Sequence, residues 1–200
     1  MSSKNEWGSY YGFIDKYIGE EYETIEDFGV HEVNVKDIIS YQPSKFKEEN
    51  FTLQTNEQES MINYASDICL LRSPNGKYIF NSGNIKKLLL IKKLGIKSVK
   101  VSIKIAIPRK YFTQLELEEM KNKKEALLIE DKKGKLLANR VQQLPLKKHL
   151  NYANGESIKE YIKWENCCRK RIQMKNELNF FFIEIAEREG LIPVIKEKRV

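Results

Sequence analysis

The sequence predicts an α+β fold: a mixed sheet with helices, followed by a mainly helical C-terminal domain. Three observations carry that expectation. Between Val99 and Ile107, apolar Val99, Val101, Ile103, Ile105 and Ile107 alternate with Lys100, Ser102, Lys104 and Ala106, which is the period of a strand with one face in a core. Upstream, Asp67–Arg72 and Lys77–Phe80 flank Ser73, Pro74, Asn75 and Gly76, where proline fixes φ early in a turn and Asn-Gly accepts positive φ later. Beyond Phe112 the strand pattern gives way to helical spacing.

The remaining elements follow in chain order. Residues 1–27 hold Trp7, Tyr10, Tyr11, Phe13, Tyr17 and Tyr22 among acids and glycines, too many aromatics for a free tail, so a short helix or arm packed on the main domain is expected. Val30–Val35 reads as a strand, and Lys36–Ile39 leads to a turn at Tyr41, Gln42 and Pro43. Thr55 with Gln58 makes a capping box for a helix over Asn56–Ala65. After the hairpin, Ser82 or Asn84 caps a helix over Ile85–Leu94 that Gly95 stops. Pro108 ends the alternating strand. Thr113 with Glu116 opens a helix to about Leu128, a turn follows at Lys133–Lys135, and a short segment runs to Pro145. Ser157–Arg188 reads as one long helix or two broken ones. Its apolar stripe of Ile158, Ile162, Ile172, Leu178, Phe182 and Ile185 is interrupted by Arg169, Lys170 and Arg171, and Gly190 and Pro193 end it. This gives an arm at 1–27, a central domain at 28–111 and a helical domain at 112–200.

Two hundred residues, 41% apolar and 32% charged, suit one domain with an appendage or two small domains, and exclude collagen-like and wholly disordered chains. The longest uncharged apolar run, Leu88–Ile91, is far short of the ~20 residues that cross a bilayer. Met1–Gly12 lacks a basic stretch followed by an apolar one, so neither a membrane span nor a secretory leader is expected. Cys167 and Cys168 are adjacent and Cys69 is left over, a poor disulfide framework that fits a reducing cytoplasm. Nor is a metal site expected, since there is no paired C-x-x-C and His31 and His149 stand alone.

Charge is the informative property. The formal net charge is +7, yet residues 1–67 carry 5 basic and 14 acidic side chains while residues 68–115 carry 11 basic and no acidic ones. Three readings are open for that carboxylate-free segment: a surface for phosphate, a partner for the chain's own Glu20, Glu21, Glu23, Glu26 and Asp27, or a solvated lysine-rich surface.

Two stretches resemble the ParB/sulfiredoxin-like superfamily, the N-terminal domain of chromosome- and plasmid-partition proteins. Ile38 to Phe46 looks like the family's N-P-Y-Q-P-R-K-x-F segment, with Ser44 where arginine is usual. Gly76 to Gly95 looks like the stretch reading G-E-R-R-x-R-A-A in ParB and G-H-x-R in its relatives. Gly83 is kept, Asn84 and Ile85 replace the polar pair, and Lys86 or Lys87 stands for the arginine. The likeness covers about residues 30–108.

The resemblance implies a ParB-like fold over the central domain and a phosphate site at Ser82, Gly83, Asn84, Lys86 and Lys87, with a nucleoside triphosphate and Mg²⁺ as its cofactor. Physics points the same way, because main-chain N–H groups at a helix N-terminus attract anions. Candidate nucleic-acid contacts are Lys45, Lys92, Lys93, Lys100, Lys104, Arg109, Lys110, Arg169, Lys170 and Arg171. Sulfiredoxin chemistry is not expected, since no cysteine follows Gly83. No catalytic residue is assigned, and Glu32, Asp37 and Asp67 at the segment's margins are the nearest acids that could hold a metal. The expected function is a DNA- or nucleotide-binding regulatory or partition-type protein of a bacterium or phage, without catalysis. Two alternatives stand beside it: a metal-dependent nuclease or nucleotide hydrolase, and a protein-interaction module acting as inhibitor or adaptor. Expected partners are DNA and either a protein or a second copy held through the C-terminal helix, with no membrane. A helix-turn-helix is not expected over Leu136–Leu150, because Pro145 falls where its second helix would run.

Overall fold

A computed structural model describes residues 10–19, 21–39, 65–143 and 155–192, and these form an α+β arrangement of six strands and four helices. Helix α1 spans Tyr10–Tyr17, β1 Tyr22–Ile25 and β2 Val30–Asn34; a 3-10 turn, Val35–Asp37, leads to β3, Ile38–Ile39. The hairpin of β4, Ala65–Arg72, and β5, Tyr78–Gly83, comes next, then α2, Ile85–Lys93, and β6, Ser98–Pro108. Two long helices follow, α3 over Gln114–Gln143 and α4 over Gly155–Arg188. The expected helix over residues 56–64 lies outside the described residues, and Ala65 belongs to β4.

The alternating strand organises the sheet. β1 and β2 pair antiparallel with one edge of β6, through registers Ile25↔Ile105 and Val33↔Val99. β4 runs parallel along its other edge, β5 is antiparallel to β4, and β3 is parallel to β5. Because successive strand residues face opposite sides, β6 serves two cores. On one side Val99, Val101 and Ile103 join Val33, Val35, Ile38, Ile68, Leu70 and Tyr78 beneath Leu88 and Ile91 of α2. On the other, Ala106 with Leu71 and Ile79 is covered by Phe13, Ile14 and Ile18. The aromatic N-terminal stretch thus supplies a helix that packs on the sheet, and the second face of β6 is polar at Ser98, Lys100, Ser102 and Lys104.

The hairpin forms at the expected residues. Ser73 N and Ser73 Oγ both donate to the Lys77 carbonyl, at 2.9 and 3.0 Å, and Gly76 takes φ +82°. Asn84 is the cap of α2, and the helix closes at Gly95 with Ile96 N bonded to the Ile91 carbonyl.

By their contacts, residues 1–111 with 182–200 form one unit and residues 112–181 a second. In the second unit the Thr113–Glu116 capping box is reciprocal: Thr113 N donates to Glu116 Oε2 at 2.7 Å and Glu116 N to Thr113 Oγ1 at 3.3 Å. α3 and α4 pack antiparallel. Arg171 bonds to Asp131, Lys170 Nζ lies 3.1 Å from Glu130 Oε2, and Phe112 meets Phe181 at a ring separation of 6.4 Å.

Two expectations about this region are corrected. The turn at Lys133–Lys135 does not form, since α3 continues through it to Gln143. Glycine costs a helix interior about 1 kcal/mol relative to alanine, but the helix continues through Gly134, which is buried where α4 packs close: a Cβ would lie 3.3 Å from Arg171 Cδ and 3.4 Å from Cys167 Sγ. The stripe on α4 is also two stripes. Phe182 and Ile185 are buried and Leu178 half-buried, whereas Ile158, Ile162 and Ile172 are exposed on the opposite face. Among the described residues no helix is long and apolar enough to cross a membrane.

Candidate phosphate and nucleic-acid interface

The turn from β5 into α2 is built from both of its flanks. Gly83 closes β5 opposite Ile68 with φ +105°, and a Cβ there would fall 1.8 Å from the Asp67 carbonyl oxygen, so only glycine lets the two backbones meet. Asn84 N donates to that same carbonyl at 3.2 Å. The Asn84 side chain accepts from Lys87 N at 3.1 Å, as an N-cap does. Lys87 Nζ reaches Asp67 Oδ1 at 3.0 Å, and Ser82 is exposed and registered with Cys69.

These residues do not fit a triphosphate cradle. The Lys87 amide is already satisfied by Asn84, and a carboxylate sits beside Lys87 where a polyphosphate would bring like charge. The glycine serves a strand contact rather than an approach to ligand.

The eleven cations of residues 68–115 do not form one patch. Lys86 and Lys93, seven residues apart on α2, share an outward face and are both exposed, about 10 Å apart along the axis. Lys97, exposed beyond Gly95, follows the same helix. Lys92 turns inward: its ammonium donates to the Ile38 carbonyl at 2.6 Å, and burial lowers its pKa to about 8. Lys100 and Lys104 project from the other face of the sheet, since they alternate with Val99, Val101 and Ile103 under α2.

The acidic N-terminal third neutralises part of the segment through β1 and the residues on either side of it. Lys104 is bound to Glu26, whose carboxylate raises the ammonium above its ordinary value. Arg109 lies 2.8 Å from Glu21 and 3.3 Å from Glu23, and Lys110 sits 5.2 Å above the Tyr111 ring. The three marginal acids have separate partners. Glu32 accepts from Ser98 Oγ at 2.6 Å, Asp37 pairs with Lys77 at 2.8 Å, and Asp67 pairs with Lys87. Among the described residues no three His, Cys, Asp or Glu side chains gather around a point where one metal ion could sit.

In the helical unit the three consecutive cations point three ways. Arg169 pairs with Glu165 on its own helix at 2.8 Å, while Lys170 and Arg171 tie α4 to Glu130 and Asp131 of α3. Glu130 is buried, and the Cys167 thiol, then Lys170, hold its carboxyl below the usual range. Lys45 lies outside the described residues. Lys97 was missed as a candidate contact, although its position just past the glycine that ends a lysine-rich helix was readable, and the pairing of Asp67 with Lys87 across the hairpin had no local signal.

No family model matches the chain, and neither a curated protein nor a solved structure does.

Proposed function

We propose that this protein is a DNA-binding regulatory or partition-type factor of ParB-like kind that holds the phosphate backbone on the outward face of α2 through Lys86, Lys93 and Lys97, without catalysis. One observation carries the reading: α2 bears four lysines and no carboxylate, and it presents Lys86 and Lys93 together to solvent. Backbone contact by lysine supplies affinity without sequence information, which agrees with the lack of a helix-turn-helix pattern. A nucleoside triphosphate is the less suitable ligand, because Asn84 and Asp67 occupy the turn it would use. DNA at α2 needs neither of those groups to move.

Fluorescence anisotropy of the full chain with a labelled duplex tests this. Changing Lys86, Lys93 and Lys97 together to Ala should weaken binding at least ~10-fold, about 1.4 kcal/mol. Changing Lys100 and Lys104, on the other sheet face, should alter it less than about twofold. Equal losses from the two sets, or no binding by the unmodified chain, would remove the proposal.

A further inference from the structure

Independently of any phosphate ligand, α4 carries a second feature, the order of side chains along its solvent face. Cys167 is buried against α3, with its thiol 3.6 Å from the Glu130 carbonyl. Over residues 158–181, at ~100° per residue, the positions within about 40° of the opposite direction are 158, 162, 165, 169, 172, 176 and 180. Ile158, Ile162, Ile172 and Phe180 there are 46%, 47%, 60% and 64% exposed. Isolated exposed apolar residues need no explanation, but four in one line over about 33 Å of helix do.

The line has an inverted order about position 167. Ile162 and Ile172 stand five residues to either side of it, and Glu165 and Arg169 stand two residues to either side. We propose that this face pairs antiparallel with the same face of a second copy. The two-fold axis then sets Ile162 across from Ile172 of the second copy, and Glu165 across from Arg169 of the second copy. Apolar then meets apolar at 162 and 172 and carboxylate meets guanidinium at 165 and 169, while Ile158 falls across from Asn176 of the second copy.

Charge complementarity selects both the partner and the direction. A parallel pair would oppose Glu165 to Glu165 and Arg169 to Arg169, which is repulsive. The antiparallel pair instead adds an intermolecular carboxylate to each Arg169, already 2.8 Å from Glu165 of its own chain. A shallow groove of about 400 Å³, lined by Arg169, Ile172, Asn176 and Phe180 among others, lies where the antiparallel register brings Ile158 and Ile162 of the second copy. A contact between two helices of this length falls toward the small end of stable interfaces, so association in the micromolar range is expected.

Sedimentation equilibrium of the full chain between roughly 1 and 200 µM should show a mass rising from 23.5 kDa toward twice that value. Ile172→Glu, at an exposed position, should leave the circular dichroism spectrum unchanged and weaken association at least ~10-fold. Glu165→Arg alone and Arg169→Glu alone should each weaken it, and the two together should restore it to within about threefold of the unmodified chain, because the double reversal rebuilds the cross-copy pairs. A monomer at every concentration, association indifferent to Ile172→Glu, or a double variant no better than the singles would each overturn the proposal.

Discussion

Gly83 shows how one residue's role can be visible while its reason is not. In the sequence it sits between a hairpin and a helix, where a glycine reads equally as a turn or as an approach to an anion. Its φ of +105° and the Asp67 carbonyl 1.8 Å from a hypothetical Cβ give it a structural duty. Gly83→Ala must both enter an unfavourable backbone region and push β4 aside, so it should destabilise the protein by at least about 2 kcal/mol, read as a lower urea midpoint. A loss under about 0.5 kcal/mol would mean that the turn relaxes freely. Asn84 is the opposite case. Its capping role was legible because the side chain acts within three residues of itself, whereas the pairing of Lys87 with Asp67 joins residues twenty apart.

Among the elements, those set by local chemistry were readable. The alternation of β6, the Ser73–Gly76 hairpin, the Thr113–Glu116 box and the stop at Gly190 each depend on side chains near their own backbone. What the sequence hid was tertiary. α3 runs through Gly134 where α4 packs, and the stripe on α4 divides in two because Leu178, Phe182 and Ile185 are covered while Ile158, Ile162 and Ile172 are exposed. Gly134→Ala tests this balance. The flexible Arg171 stem can yield a few tenths of an ångström, so the gain in helix propensity should leave the variant neutral or up to about 1 kcal/mol more stable. Gly134→Leu cannot be accommodated and should cost at least about 2 kcal/mol. Equal effects from the two substitutions, measured by thermal unfolding, would mean that the helices do not meet at this position.

For the whole molecule, the total of +7 conceals a division that folding partly cancels. Glu21, Glu23 and Glu26 fold back onto Arg109 and Lys104, one of the readings the charge asymmetry left open, and Arg169, Lys170 and Arg171 are engaged within the helical unit. The exposed cations assigned here to a phosphate backbone, on α2 and just beyond it, are fewer than the composition suggests. That lowers the salt dependence to be expected. With three or four phosphate contacts, raising salt from 50 to 200 mM should weaken DNA binding roughly 40- to 150-fold, rather than the ~10³-fold or more of six or more contacts. The slope of log affinity against log salt for the full chain and a short duplex therefore tests the central claim most directly. A slope near about −3, falling toward zero when Lys86, Lys93 and Lys97 are changed to Ala, is the predicted result, and a flat response, or a steep one untouched by those changes, would contradict it.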